Sequence, residues 1–140
     1  IVIGSVHSRF KTGKKEMTER VVKAIQSGID ILGHPTGRLI GQRAAYELDI
    51  DAVLDAAKAS GVCLEVNCFP DRLDLSDAHC HMAKERGVRV ALGTDSHSIE
   101  HMGHMRLGVL NARRGWLEPK DVLNTMGANE LEGWLRSRRR

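Results

Sequence analysis

Apolar and polar positions along this chain follow two rhythms that keep replacing one another. Ile1–Val6 is a β-branched apolar run and predicts a strand. Lys14–Gln26 carries Met17, Val21, Val22 and Ile25 at helical spacing, and Ser27-Gly28 ends it. Ile29–Leu32 is a second short strand, closed by Gly33 and Pro35. Thr36–Leu48 has no period and reads as a long loop with at most a turn of helix. Asp51–Ala59 is helical, with Asp49 or Asp51 as N-cap and Gly61 beyond its end. Val62–Val66 predicts a third strand, and Asn67–Leu75 a loop. Ser76–Arg86 is a helix: Ser76 can cap it, Asp77 suits the positive end of its dipole, and Gly87 stops it. Val88–Leu92 is the fourth strand; helical stretches near His101–Arg113, Pro119–Asn124 and Glu130–Leu135 follow. Short apolar strands alternating with amphipathic helices predict an α/β fold of parallel (βα) units with right-handed crossovers.

Length and composition narrow this picture. At 140 residues the chain is one domain, spanning 1–140, with no repeat or low-complexity linker to divide it. No apolar stretch approaches the ~20 residues that cross a bilayer, and Ile1–Val6 lacks the basic n-region of a signal peptide. The expectation is a soluble, cytoplasmic protein without membrane partners. The chain opens without Met and inside a strand, which reads as a piece of something longer. Cys63, Cys68 and Cys80 have no CxxC spacing, so reduced thiols are expected rather than disulfides or a zinc finger. The net charge of +3 owes much to Arg136, Arg138, Arg139 and Arg140. Such a run can meet nucleic-acid phosphates, but the reading taken is a solvated, frayed terminus.

In parallel α/β folds functional groups gather at the carboxyl ends of the strands. His7, Ser8 and Arg9 follow the first strand and His34-Pro35 the second. Glu65 and Asn67 stand at the end of the third. Thr94, Asp95, Ser96 and His97 follow the fourth. Imidazole and carboxylate together suit zinc, manganese or iron. His7, His34, Asp95 and His97 are therefore candidate metal ligands, with Asp95 and His97 also candidate catalytic residues. The other histidines are weaker candidates. His79, Cys80 and His81 are neighbours on a helix and do not share a face, and His101 and His104 could pair at i,i+3 but lack a third ligand. Cys68 could face the site, but a single Cys is more often packed. Arg9, Arg38 and Arg72 lie in loops at the same end and are candidate phosphate-binding groups, guanidinium forks being suited to phosphate. The alternative for each is an ion pair with an acid such as Asp71 or Asp74.

Ser5-Val6-His7, Gly33-His34-Pro35 and Thr94-Asp95-Ser96-His97, in this order, resemble the polymerase and histidinol phosphatase (PHP) superfamily. The strings GHPTGRLIGQR (Gly33 to Arg43), RLDLSDAH (Arg72 to His79) and ARRGWLEPKDVLNT (Ala112 to Thr125) resemble the PHP domain at the carboxyl end of bacterial and archaeal family X DNA polymerases. The resemblance implies a distorted, TIM-like seven-stranded barrel with two or three divalent metal ions, Mn²⁺ or Zn²⁺. It implies 3′–5′ exonuclease and 3′-end phosphoesterase activity on DNA. His7 and His34 match two histidines that share a metal with a bridging glutamate, and Asp95 and His97 match the late Asp-x-His pair.

The superfamily's opening His-x-His, later histidines and bridging glutamate have no counterpart here. A closed barrel of this kind needs roughly 250 residues. The expectation is a partial PHP barrel, its carboxyl-terminal half, inactive alone. Its partners would be the amino-terminal half with the polymerase part, DNA 3′ ends or other phosphate esters, or a second copy in a homodimer. Cutting the barrel should leave two open strand edges and bare the inner face around Val2, Ile31, Val66 and Ala91. Alternatives are a small-molecule phosphatase of the same superfamily, resembling histidinol phosphatase, and a non-catalytic module that contacts DNA.

Overall fold

A computed structural model describes residues 1–138. Four strands, β1 (Ile3–Ser5), β2 (Ile31–Gly33), β3 (Cys63–Asn67) and β4 (Val90–Gly93), form one parallel sheet in the order β1-β2-β3-β4. Between them run α1 (Lys14–Gln26), α2 (Ile50–Ser60) and α3 (Asp77–Arg86). A 3₁₀ turn at Glu100–His104 leads into α4 (Met105–Arg114), two more 3₁₀ turns follow, and α5 (Ala128–Arg138) ends the described chain. The expected α/β class and parallel (βα) order are those found. Among the described residues no helix is long and apolar enough to cross a membrane.

The local causes are those in the sequence. Met17, Val21 and Ile25 recur every four residues and are the buried stripe of α1. Asp49 caps α2 by accepting the Ala52 N–H at 3.2 Å, and Ser76 caps α3 by accepting that of His79 at 3.2 Å. Gly61 and Gly87 close these helices in the left-handed conformation (φ 65° and 66°). The long 36–48 loop contains no helix; Leu39 and Arg43 instead bridge across a tight turn.

The two sheet faces carry different residues, because side chains alternate along a strand. Leu32, Leu64, Val66 and Val90 face α1, α2 and α3 in the main core. Ile31, Cys63 and Ala91 face the other way and are covered by Leu123, Met126, Leu131 and Trp134 from the end of the chain. This corrects the expectation of a bared inner face. Val66 and Ala91 lie on opposite faces, Ile31, Val66 and Ala91 are all buried, and only Val2 is open, at 53% exposure. Among the described residues one edge of the sheet is open and the other is covered. Val122 bridges to Val90, and the Asn124 side chain bonds both the N–H (2.7 Å) and the C=O (3.0 Å) of Leu92, so β4 is capped. Ile1, Val2 and Ile3 at the β1 edge remain more than half exposed.

The arginine run is not simply solvated. The Arg138 side chain is 9% exposed: Nε donates to Asp30 Oδ1 (3.2 Å), Nη1 to the Ser60 carbonyl (2.7 Å) and Nη2 to that of Ile29 (2.6 Å). Three acceptors and a stacked Trp134 ring hold it. Arg136 stays outside with Glu132, and Arg139 and Arg140 lie outside the described residues. Burial pushes the Asp30 carboxyl up, but the Val2 amide and Arg138 outweigh it and hold its pKa below the usual range.

Asp30→Asn therefore leaves a buried guanidinium without its counter-charge, and urea denaturation at neutral pH is expected to show a loss of about 3 kcal/mol. The Asp30 stabilisation is complete above the ordinary pKa of 3.8 and is lost as pH falls through the depressed folded value. The wild-type and variant stability curves should accordingly converge on the acid side, and parallel curves down to pH 2 would contradict the pairing.

Candidate functional site

Because all four strands run the same way, their carboxyl ends share one rim, and His7, His34, Asp95 and His97 all stand just past a strand end. The His7 and His34 rings meet edge to face, 5.2 Å between centroids. His34 is 7% exposed, and its Nδ1 is buried without a hydrogen-bond partner. Burial first, and the neighbouring Arg72 guanidinium second, hold its pKa below the ordinary imidazole value. A neutral imidazole is the form that ligates a metal.

Asp95 is tied in from two sides. Its Oδ2 accepts a hydrogen bond from Asn67 Nδ2 at 3.2 Å and lies 3.4 Å from Arg72 Nε. His97 is exposed, with Nδ1 2.7 Å from the Asp95 carbonyl oxygen. A carbonyl can only accept, so Nδ1 carries the proton and Nε2 keeps its lone pair for a ligand. The His97 amide donates to His101 Nδ1 (3.2 Å); the His101 and His104 rings stack, 5.4 Å apart, against Phe69.

Sequence reasoning left Glu65 without a role, and the structure places it at the centre. It is 8% exposed, and its Oε2 accepts the His34 N–H at 2.7 Å and Asn67 Nδ2 at 3.3 Å. Burial raises its pKa to about 7; those two hydrogen bonds pull it down, and the charges of Asp95 and Asp74 push it up. The signal in the sequence was a carboxylate between Leu64 and Val66, inside an otherwise apolar strand.

The three arginines part company. Arg9 is exposed and paired with Glu16 of α1. Arg38 donates to the carbonyls of Arg72 (2.7 Å) and Leu73, and Asp74 accepts the amides of Thr36 (3.0 Å) and Gly37 (2.9 Å). These bonds pin the loop after β2 to the loop after β3. Arg72 alone sits beside His34 and Asp95, 19% exposed, with Nη1 buried and unpartnered. None pairs with Asp71 or Asp74.

The remaining candidates are packed. The Cys68 thiol is fully buried, donates to the Val66 carbonyl (3.3 Å) and is pushed up to about 11, chiefly by burial. On α3, Cys80 is buried, and His81 packs on Trp116 beside Glu85. Among the described residues no three His, Cys, Asp or Glu side chains are gathered closely enough to hold a metal ion. The donors present thus fit a divalent ion in part. His34, Asp95 and His97 offer suitable atoms, but as an incomplete set.

The fold and this rim define a parallel α/β domain with its polar groups at one end of the sheet. Similarity to known proteins is consistent with the carboxyl-terminal part of a PHP domain of the kind found in family X DNA polymerases. The chain is 43% identical over 137 residues to the DNA polymerase/3′-5′ exonuclease PolX of Bacillus subtilis, covering 97% of this chain and 24% of that protein. It is 29% identical over 150 residues to a protein named "probable phosphatase" from Thermoanaerobacter sp. (strain X514), covering 100% of this chain and 58% of that one. A Shewanella sp. (strain ANA-3) protein of the same name is 38% identical over 112 residues, 74% of this chain and 42% of its own. The chain thus spans about a quarter of the polymerase and about half of the phosphatases. No family model matches it.

The enclosure of Glu65 makes one glycine critical. A Cβ at Gly93 would come within 2.3 Å of Glu65 Oε1. That oxygen cannot swing away without breaking the bond to the His34 amide. Gly93→Ala should therefore cost about 1–3 kcal/mol in a thermal melt and shift the His34 amide resonance. An unchanged His34 signal would show that Glu65 is free to move.

Proposed function

We propose that this chain is the carboxyl-terminal part of a divalent-metal-dependent phosphoesterase that hydrolyses phosphate esters at DNA 3′ ends. The observation that carries the reading is the meeting of His34, Asp95 and Arg72 at one rim, with a buried ring nitrogen and a buried guanidinium nitrogen both lacking partners. Unpartnered buried polar atoms call for a water, an ion or a ligand; Nδ1 of His79 and of His81 on α3 are unpartnered as well, so the weight rests on the three side chains at the rim. His7, His34, Asp95 and His97 would hold Mn²⁺ or Zn²⁺ together with ligands from the preceding half of the domain. Bound ions of this kind supply an activated water and neutralise charge on the phosphoryl group. In that setting Arg72 meets the phosphate through its free Nη1, while Asp95 orients the guanidinium through Nε. Arg9 and Arg38 have partners of their own and are secondary.

The name of the Bacillus subtilis relative, with its 3′-5′ exonuclease, supports DNA as the substrate. The proteins named as phosphatases favour a second reading, a small phosphate monoester in the same site. The two part in one assay. Full-length protein carrying this chain, given Mn²⁺, should release phosphate or nucleotides from the 3′ end of an oligonucleotide. Arg72→Ala should slow that release by on the order of 10²-fold. Turnover of small monoesters with no attack on DNA would select the second reading.

The 140 residues alone, with a partial donor set, should bind Mn²⁺ or Zn²⁺ weakly by calorimetry, and His34→Ala should abolish most of the signal. They should release no phosphate steadily from a 3′-phosphorylated primer. Tight zinc binding that survives loss of both His7 and His34, or turnover lost in Asp95→Ala, would contradict the half-site account.

A further inference from the structure

We propose that Glu65 is the positioning residue of this rim, fixing His34 relative to Asp95 through one unbroken run of hydrogen bonds. The inference rests on the reading of His34 and Asp95 as ligands. The run begins at the His34 N–H, which donates to Glu65 Oε2 at 2.7 Å. The same oxygen accepts from Asn67 Nδ2 at 3.3 Å, and Nδ2 donates its other hydrogen to Asp95 Oδ2 at 3.2 Å. An amide nitrogen has two hydrogens, and here each has one carboxylate. The orientation of the Asn67 amide is not arbitrary, since its Oδ1 accepts the Phe69 N–H at 3.0 Å. The bonds therefore cross from the end of β2, over β3, to the end of β4.

Both termini of the run need such a restraint. His34 and Asp95 have positive φ (31° and 52°), which is uncommon for a residue with a side chain, although Asp and His adopt it more often than most. The carboxyl group that binds the His34 amide lies on β3, between β2 and β4. The flanking strands present glycine on either side, Gly33 with a would-be Cβ 3.6 Å from Oε2 and Gly93 with one 2.3 Å from Oε1. A side chain at Gly93 would displace the carboxylate, whereas at Gly33 the close contact is with Ser5 Oγ, at 2.4 Å. Glu65 acts through His34 and Asn67, both of which Oε2 holds.

The test uses the 140-residue chain, first without metal. The His34 amide and the Asp95 carboxyl carbon are followed by NMR in Glu65→Ala, Glu65→Gln and Asn67→Ala, with folding checked by thermal melting. Glutamine keeps an acceptor oxygen in the Oε2 position, so Glu65→Gln should leave both signals near the wild type. Glu65→Ala should shift both. Asn67→Ala cuts only the second arm and should shift Asp95 while sparing the His34 amide. Titration with Mn²⁺ should then show affinity down 10- to 100-fold in Glu65→Ala and restored in Glu65→Gln.

Two results overturn the proposal. One is Glu65→Ala with unshifted His34 and Asp95 signals, which makes Glu65 a bystander. The other is Glu65→Gln as damaging as Glu65→Ala, which makes the negative charge, and hence direct ligation or proton transfer, the property that matters. If Glu65→Ala fails to fold, Asn67→Ala decides, and an unmoved Asp95 signal there overturns the proposal. Predicted shifts without Mn²⁺ binding to any form uphold the positioning role and count against the metal reading alone.

Discussion

A carboxyl group set into the face of a parallel sheet must be given hydrogen-bond donors, or the strand that carries it is destabilised. Glu65 is in that position, and much of the surrounding geometry follows from satisfying it. Its donors are the backbone of His34 and the side chain of Asn67, so two strand ends are drawn toward a third. Its bulk excludes a side chain from Gly93, at the end of β4, while Ser5 does the same at Gly33, at the end of β2. The residue after Gly33 is His34, and Asp95 comes two after Gly93; both have a left-handed backbone. A polar residue that would be a liability in a plain core thus sets the end of three strands at once.

The loops around this centre are held by hydrogen bonds to main-chain groups more than by ion pairs. Arg38 bonds two carbonyls of the 67–75 loop, Asp74 accepts two amides of the 34–46 loop, and Tyr46 donates to the Pro35 carbonyl at 2.6 Å. Each of these bonds joins a loop to backbone that would otherwise be buried unpaired. The consequence for chemistry is indirect. Arg38 shapes the loop in which Arg72 lies, and Arg72 is the guanidinium that reaches Asp95.

The strands, the capped helices and the strand-end residues were legible because each rests on local rules. Examples are the four-residue recurrence of Met17, Val21 and Ile25, the Asp49 and Ser76 caps, and Gly61 and Gly87 as stops. The family strings were legible in the same way, since they are read directly. What was not legible depends on pairing across the chain. Nothing local distinguishes Arg72 from Arg38 or Arg9; their partners lie 23, 34 and 7 residues away. Arg138 read as tail because its partner, Asp30, is 108 residues distant. The face error had a simpler cause. Val66 and Ala91 were grouped by apolarity, whereas register pairs Val66 with Leu92 and Glu65 with Ala91, which places them on opposite faces.

That same register divides the second face of the sheet into two zones. Toward the amino ends of the strands it presents Ile31, Cys63 and Ala91, and Leu123, Met126, Leu131 and Trp134 close over them. Toward the carboxyl ends the same alternation presents Ser5, Gly33, Glu65, Asn67 and Gly93. The dividing line falls within single strands, two residues apart on β3, between Cys63 and Glu65. An apolar plug at one end and a polar rim at the other are what a face needs if it is to be stable and still receive a charged ligand. The plug supplies burial where no chemistry occurs, and Arg138 fastens it at the far end from His34. The rim keeps small residues and anchored acids where the proposed phosphate would approach. The opposed demands of stability and binding are thus met on one face by position along the strand, which is why the site sits where helix α5 does not reach.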